Sequence, residues 1–216
     1  MILVLDDEVQ PDYRYLGPEI EHFLPDAAYE VYVDEPAEPD LDRYDGVVIS
    51  GSTASAYDES EADWIDPQER LVRRCVEADV PLLGICFGHQ LVNQALGERV
   101  EADRRRATFV EMTRLADDAV LEGINDIVPV LHADLVVERG TGMVTTASTD
   151  YNENFCTRHE SAPVWSVQFH PEFTERVADR SSDRSPGAHS FADCNADSVL
   201  TNFAELCASD EEVRSL

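Results

Sequence analysis

Apolar residues in this chain gather into short runs, and the spacing between them changes from strand-like to helix-like in a regular alternation. Residues 2–5 (ILVL) make an uninterrupted apolar run of strand length. Residues 16–24 carry apolar positions at helical spacing, and residues 29–33 read as a second strand. An acidic, proline-containing loop over 36–41 leads to GVVIS at 46–50, a third strand, and a helix covering most of 61–77 follows. Residues 81–85 give a fourth strand. Beyond it Leu91, Val92, Ala95 and Leu96 recur at the spacing of a helix over 89–96. Strands alternating with helices across short loops predict parallel strands joined by right-handed crossovers. After Gly97 the pattern changes. Residues 99–114 and 131–148 alternate over short stretches, with turns at 139–140 and 141–142, and predict antiparallel strands or a flap on the sheet edge. Residues 164–169 read as one more strand, 175–189 as a polar loop, and 192–206 as a final helix that packs Val199, Phe203 and Leu206 onto the sheet. The expected fold class is therefore α/β. A mostly parallel central sheet carries helices on both faces, with a small antiparallel edge sheet, in a single domain over residues 1–216. Ligands in such sheets bind at the carboxyl ends of the strands, where residues 50–52 and Cys86 both fall.

Charge changes the picture of the surface. There are 45 acidic side chains against 16 basic ones, a formal net charge of −29, and every basic residue is arginine. That balance argues against non-specific binding to nucleic acid or to an anionic membrane. With 43% apolar residues the chain is not disordered, and the acidic surface reads as an adaptation to high salt, where self-repulsion is screened. The arginines at 104–106 make one basic cluster, read as a solvated face or an internal ion-pair partner, with contact to an anionic substrate or partner as the alternative. The N-terminus opens directly as a strand, without the basic and apolar regions of a secretory leader, and no stretch reaches the roughly 18 apolar residues of a membrane span. Five unpaired-looking cysteines suit a reducing cytoplasm, and none has zinc spacing, so no metal site is expected.

The candidate chemistry starts at GICFGHQ, residues 84–90. A strand, a sharp turn with a cysteine at its apex and a helix form a nucleophile elbow. The flanking glycines permit the tight turn, and the apex exposes a thiol at the positive end of a helix, surroundings that favour thiolate. A buried core cysteine is the plainer alternative. The second stretch is VWSVQFHPE, residues 164–172. Here His170 and Glu172, two apart on an extended segment, project to one side. A thiol, an imidazole to take its proton and a carboxylate to orient the imidazole make a nucleophilic triad. His22, His89, His159 and His189 lack such context and read as structural or solvated.

Together these stretches resemble the motifs G-x-C-x-G-x-Q and V-x-F-H-P-E of the class I (triad) glutamine amidotransferases. The resemblance runs over roughly residues 1–205, and the SGS turn at 50–52 with Tyr57 and Asp58 is similar to the branch that includes the glutaminase part of GMP synthase. It implies a flavodoxin-like fold, with Cys86 as nucleophile, His170 as base and Glu172 as its orienting carboxylate. The oxyanion donors would be the N–H groups of Ser52, next to Gly51, and of Phe87. Gln90 would contact the substrate, and the H-x-D-x-V segment at His132, Asp134 and Val136 would help hold its α-amino and carboxylate ends. The implied substrate is L-glutamine, with no metal or organic cofactor for this half-reaction. The implied partner is a separate ATP-dependent synthetase subunit that receives ammonia in the cytoplasm. Many family members have glycine where Ser52 stands. Ser52 reaches positive φ less cheaply, which makes its conformation one that a docked subunit could set. Two other readings stay open: a stand-alone γ-glutamyl peptide or amide hydrolase, and a catalytically silent regulatory binding subunit.

Overall fold

A computed structural model of the chain describes residues 1–181, 184, 185 and 187–214, the last five of these by their backbone only. The first half is strand and helix in alternation: β1 (Ile2–Asp6), α1 (Gly17–Phe23), β2 (Ala28–Val31), β3 (Gly46–Ile49), α2 (Ala62–Glu77), β4 (Leu82–Ile85) and α3 (Phe87–Ala95). Strands dominate the rest: β5 (Val100–Glu111), β6 (Thr113–Arg114), β7 (Ile127–Val136), β8 (Met143–Ser148), β9 (Cys156–His159) and β10 (Val164–Val167), before the closing helix α4 (Ser198–Arg214).

The central sheet has eight strands in the order β2-β1-β3-β4-β10-β9-β8-β6. Strands β2, β1, β3, β4 and β10 run parallel, and β9, β8 and β6 extend the sheet antiparallel. Because side chains alternate across a strand, β1 splits its apolar run between two layers. Ile2 and Val4 pack with Val48, Leu83 and Ile85 under Ile20 of α1 and Val199, Leu200 and Phe203 of α4. Leu3 and Leu5 pack with Val47, Ile49 and Leu82 under Leu71, Val72 and Cys75 of α2 and Leu91, Val92 and Ala95 of α3. Strands covered on both faces need continuous apolar runs, which is why ILVL and GVVI read so clearly.

The antiparallel part differs in detail from its sequence pattern. β5 and β7 form a two-stranded ribbon of their own, with a register shift between Ala102 and Arg106. The main sheet is instead continued by β8 and by β9, whose residues show no alternation because Cys156 and Thr157 are both buried inside the sheet. The closing helix starts at Ser198, later than its apolar spacing predicts. Ser190 and Asp193 form a capping box around a separate 3-10 turn, Phe191–Asp193, and Cys194 leaves that turn extended. Of the polar stretch 175–189, residues 182, 183 and 186 lie outside the described residues; its start packs inward, with Val177 and Ala178 buried beside Phe173. Among the described residues, no helix is long and apolar enough to cross a membrane.

Candidate active site

The parallel strands end in short turns at one edge of the sheet, and three of those turns meet. Cys86 follows β4 directly and holds φ 53 and ψ −99, a left-handed conformation rare for a residue with a side chain. The turn is tight on both sides. A Cβ on Gly84 would sit 2.4 Å from the Gly88 carbonyl oxygen, and one on Gly88 would sit 2.4 Å from that of Ile49. The glycine bracket is therefore a steric requirement of the elbow. The Cys86 N–H donates to the Val167 carbonyl at 2.9 Å, and the Gly88 N–H donates to Ser50 at 3.1 Å. These two bonds tie the elbow to the ends of β10 and β3, its neighbours in the sheet. The thiol is not exposed as the elbow pattern predicts. Cys86 is 3% accessible and faces a cavity of about 470 Å³.

His170 and Glu172 arrive by a different local route from the one the pattern predicts. β10 ends at Val167, not 169, because the chain then leaves the sheet: Gln168 N–H binds Phe155 O and His170 N–H binds Pro129 O, each at 2.9 Å. A turn closed by Phe173 N–H on His170 O at 3.1 Å then brings the Glu172 carboxylate back to the ring. Imidazole Nδ1 lies 2.7 Å from Glu172 Oε1, with both residues buried. Burial alone would lower the His170 pKa, but the negative charges of Cys86 and Glu172 outweigh it and raise the pKa to about 10. Nδ1 is taken by Glu172, so Nε2 is the nitrogen left for Cys86. Nε2 is buried and makes no well-formed hydrogen bond among the described residues, although Cys86 lies near enough for its charge to act on the ring. Catalytic pairs of this kind are often loose without substrate and tighten when it binds.

The other expected site residues surround the same cavity, which Gly51, Ser52, Gln90, His132 and Asp134 all line. A Cβ on Gly51 would sit 2.7 Å from His170 Cε1, so this glycine leaves room for the imidazole. Phe87 does not line the cavity; its ring packs on Trp64 at 5.3 Å between centroids. Its N–H stands in the first turn of α3, where helical N–H groups lack intrahelical acceptors. Gln90 Nε2 donates to Asp134 O at 3.2 Å. The Asp134 carboxylate accepts from Ser55 Oγ at 2.6 Å and Tyr57 Oη at 3.2 Å, joining the third-strand loop to β7. His132 stacks on Tyr151, and burial lowers its pKa to about 4. His89 is buried between Ser166 Oγ at 2.8 Å and Asn154 O at 2.9 Å, with its pKa lowered by burial to about 3, so it is a neutral core residue.

Two further features border the predicted site. Of the basic cluster, Arg105 lines the cavity, while Arg106 pairs with Asp103 and lies 3.7 Å over the Tyr151 ring. Glu8 follows β1 and accepts from Thr53 N–H at 2.9 Å and Thr53 Oγ1 at 2.6 Å, clasping the third-strand loop. Its signal was only that an acidic residue stands at the carboxyl end of a parallel strand.

Comparison with known proteins turns this geometry into a family assignment. Residues 19–182 match the family model for glutamine amidotransferase class-I. The chain belongs to that family. Among the family's members, a glutamine-hydrolysing GMP synthase subunit of Methanopyrus kandleri is 30% identical over 219 residues, covering 96% of this chain and 98% of that one. The corresponding subunit of Methanosarcina mazei is 37% identical over 134 residues, 61% of this chain and 62% of its own. Against the GMP synthase of Porphyromonas gingivalis, 36% identical over 147 residues, the match takes 66% of this chain and 28% of the longer protein. A putative GMP synthase subunit from Thermoplasma acidophilum superposes with TM-score 0.73 at 20% identity, over 100% of this chain and 97% of that one. A glutamine amidotransferase from Thermotoga maritima gives 0.70 at 18% identity, over 99% and 92%. At those identities the structures speak to fold, and the fold is that of the class I amidotransferases.

Proposed function

We propose that this chain, acting as one amidotransferase unit over residues 1–216, hydrolyses glutamine to glutamate and ammonia through a thioester on Cys86. The ammonia goes to a separate ATP-dependent synthetase in the cytoplasm, with GMP synthesis the acceptor reaction that the relatives' names favour. One observation carries the reading: a cysteine at a positive-φ elbow shares a cavity with a buried His170–Glu172 pair whose second imidazole nitrogen is unspent.

Glutamine enters with its side-chain amide over Cys86. With the proton of the pair already held on His170 Nε2, the Cys86 sulfur adds to the amide carbon as the C=O electron pair moves onto oxygen. The N–H groups of Ser52 and Phe87 face that oxyanion. The intermediate collapses, the C–N bond breaks, and the imidazolium proton leaves with nitrogen as ammonia. Water then gives a proton to His170 and its oxygen to the acyl carbon, the C–S bond breaks with its electron pair on sulfur, and glutamate departs with the starting pair restored. Gln90 and the wall at His132 and Asp134 hold the amino-acid end of the substrate.

An ammonia assay on glutamine and on γ-glutamyl peptides tests this, combined with affinity capture of an ATP-dependent synthetase. Turnover of glutamine together with capture supports it. Preference for γ-glutamyl peptides would favour the stand-alone hydrolase, and capture without turnover the regulatory subunit.

A further inference from the structure

The third-strand loop carries a second layer of hydrogen bonds that the triad does not use. Ser50 is buried, at 1% accessibility, immediately after β3. Its Oγ accepts from the Asp7 N–H at 2.9 Å and donates to the Gly51 carbonyl oxygen at 2.9 Å. Its own carbonyl accepts the Gly88 N–H at 3.1 Å, in the first turn of α3. One residue thus touches the Gly51–Ser52 peptide, which carries one proposed oxyanion donor, through its side chain, and the residue after Phe87, the other proposed donor, through its backbone.

The consequence follows from peptide geometry. The chain has no cis peptide bonds among its described residues, and in a trans peptide C=O and N–H point in opposite directions. A Gly51 carbonyl drawn inward onto the buried Ser50 hydroxyl turns the Ser52 N–H outward, toward the cavity that Gly51 and Ser52 line. Ser52 is not among the positive-φ residues, so this orientation does not need the left-handed conformation that glycine would reach more cheaply. Glu8 holds the far side of the same loop through Thr53 N–H.

Resting on the glutaminase reading above, we propose that Ser50 is a positioning residue: its hydroxyl, held by the Asp7 N–H, locks the Gly51–Ser52 peptide with its N–H toward the cavity, so that the oxyanion site is preformed in this chain without a docked partner. Without the hydroxyl the carbonyl loses its anchor and the peptide is free to turn its N–H away from the developing charge. Deleting an oxyanion donor outright lowers turnover by about 10²–10³. Loosening one lowers it less, by roughly 10–100-fold.

The test compares wild type, Ser50→Ala and Ser50→Thr in three measurements. The first is kcat and KM for glutamine. The second is the alkylation rate of Cys86 by iodoacetamide, which develops no oxyanion. The third is the affinity of glutamate γ-semialdehyde, whose carbon bonds the Cys86 sulfur to give a tetrahedral hemithioacetal oxygen in the proposed hole. Ser50→Ala is expected to lower kcat by roughly 10–100-fold with KM within about twofold, to leave alkylation within about twofold, and to weaken the aldehyde in step with kcat/KM. Ser50→Thr, which keeps the hydroxyl, is expected to recover most of the loss. Wild-type kcat and aldehyde affinity in Ser50→Ala would overturn the proposal, as would a loss of alkylation proportional to the loss of turnover. If wild type ignored glutamine while the aldehyde adduct still formed and still weakened in Ser50→Ala, the substrate reading would fail and the Ser50 assignment would stand.

Discussion

Among the described cysteines, Cys86 stands in the cavity, while Cys75, Cys156 and Cys207 are buried away from it and Cys194 is half-buried. Burial raises the thiol pKa of Cys75 to about 12, and those of Cys156 and Cys194 also rise with burial. A glutamine-like electrophile such as a chloroketone analogue is therefore expected to label Cys86 and spare the other four. Peptide mapping reads this directly, and label mainly on Cys75, Cys156, Cys194 or Cys207 would remove the nucleophile assignment. The pH dependence follows from His170. Its folded pKa of about 10 is raised above the ordinary 6.5, so the protonated ring stabilises the fold fully below about 6.5 and that contribution is lost as pH rises through about 10. The His170 proton, which leaves with the departing ammonia, is lost over the same range, so kcat/KM is expected to fall as pH passes about 10. Glu172→Gln removes one of the charges that holds this proton, and should move the alkaline limb to lower pH. An unmoved limb in that variant would mean Glu172 does not act on the imidazole.

At the scale of elements, the site depends on turns that admit no side chain. Gly51→Ala places a Cβ where His170 Cε1 lies at 2.7 Å, so the ring must shift. Displacement of about 1 Å at such a centre costs roughly 10²-fold in rate, which is the loss expected in kcat with little change in melting temperature. Gly88→Ala meets the Ile49 backbone instead, which cannot yield as a side chain can, and is expected to destabilise by about 1–3 kcal/mol in a denaturant titration. The parallel strands and both motif-bearing turns were legible in the sequence because strands buried on two faces must be continuously apolar and an elbow must bring glycines to its cysteine. The strand at 156–159 was not legible, since interior Cys and Thr give no alternation. Nor was the turn that joins His170 to Glu172. Extended spacing and a tight turn both place residues i and i+2 on one side, and only the bonds to Pro129 and Phe155 show which is present. The Ser50 and Glu8 contacts were hidden for a different reason: they join positions more than forty residues apart, Asp7 to Ser50 and Glu8 to Thr53, and no local pattern records such a pairing.

The whole molecule carries a formal net charge of −29 without a lysine, and its arginines are drawn into local pairs such as Arg14–Asp34 and Arg106–Asp103. Self-repulsion of that size is screened within about 3 Å at molar salt, against about 30 Å at 10 mM. The melting temperature is expected to rise by roughly 5 °C or more between those conditions, each kcal/mol being worth ~2–4 °C in a chain of this size. A flat profile would reject adaptation to high salt. If that rise is seen, activity is to be measured in concentrated salt. The central claim is that a thioester forms on Cys86, and it is tested most directly by acid-quenching the chain during turnover of radiolabelled glutamine and mapping the acylated peptide. Wild type is expected to carry label on the Cys86 peptide, with glutamate and ammonia formed in equal amounts, and Cys86→Ala to show neither label nor turnover. Turnover that survives Cys86→Ala, or an acyl group mapped to any other residue, would contradict it.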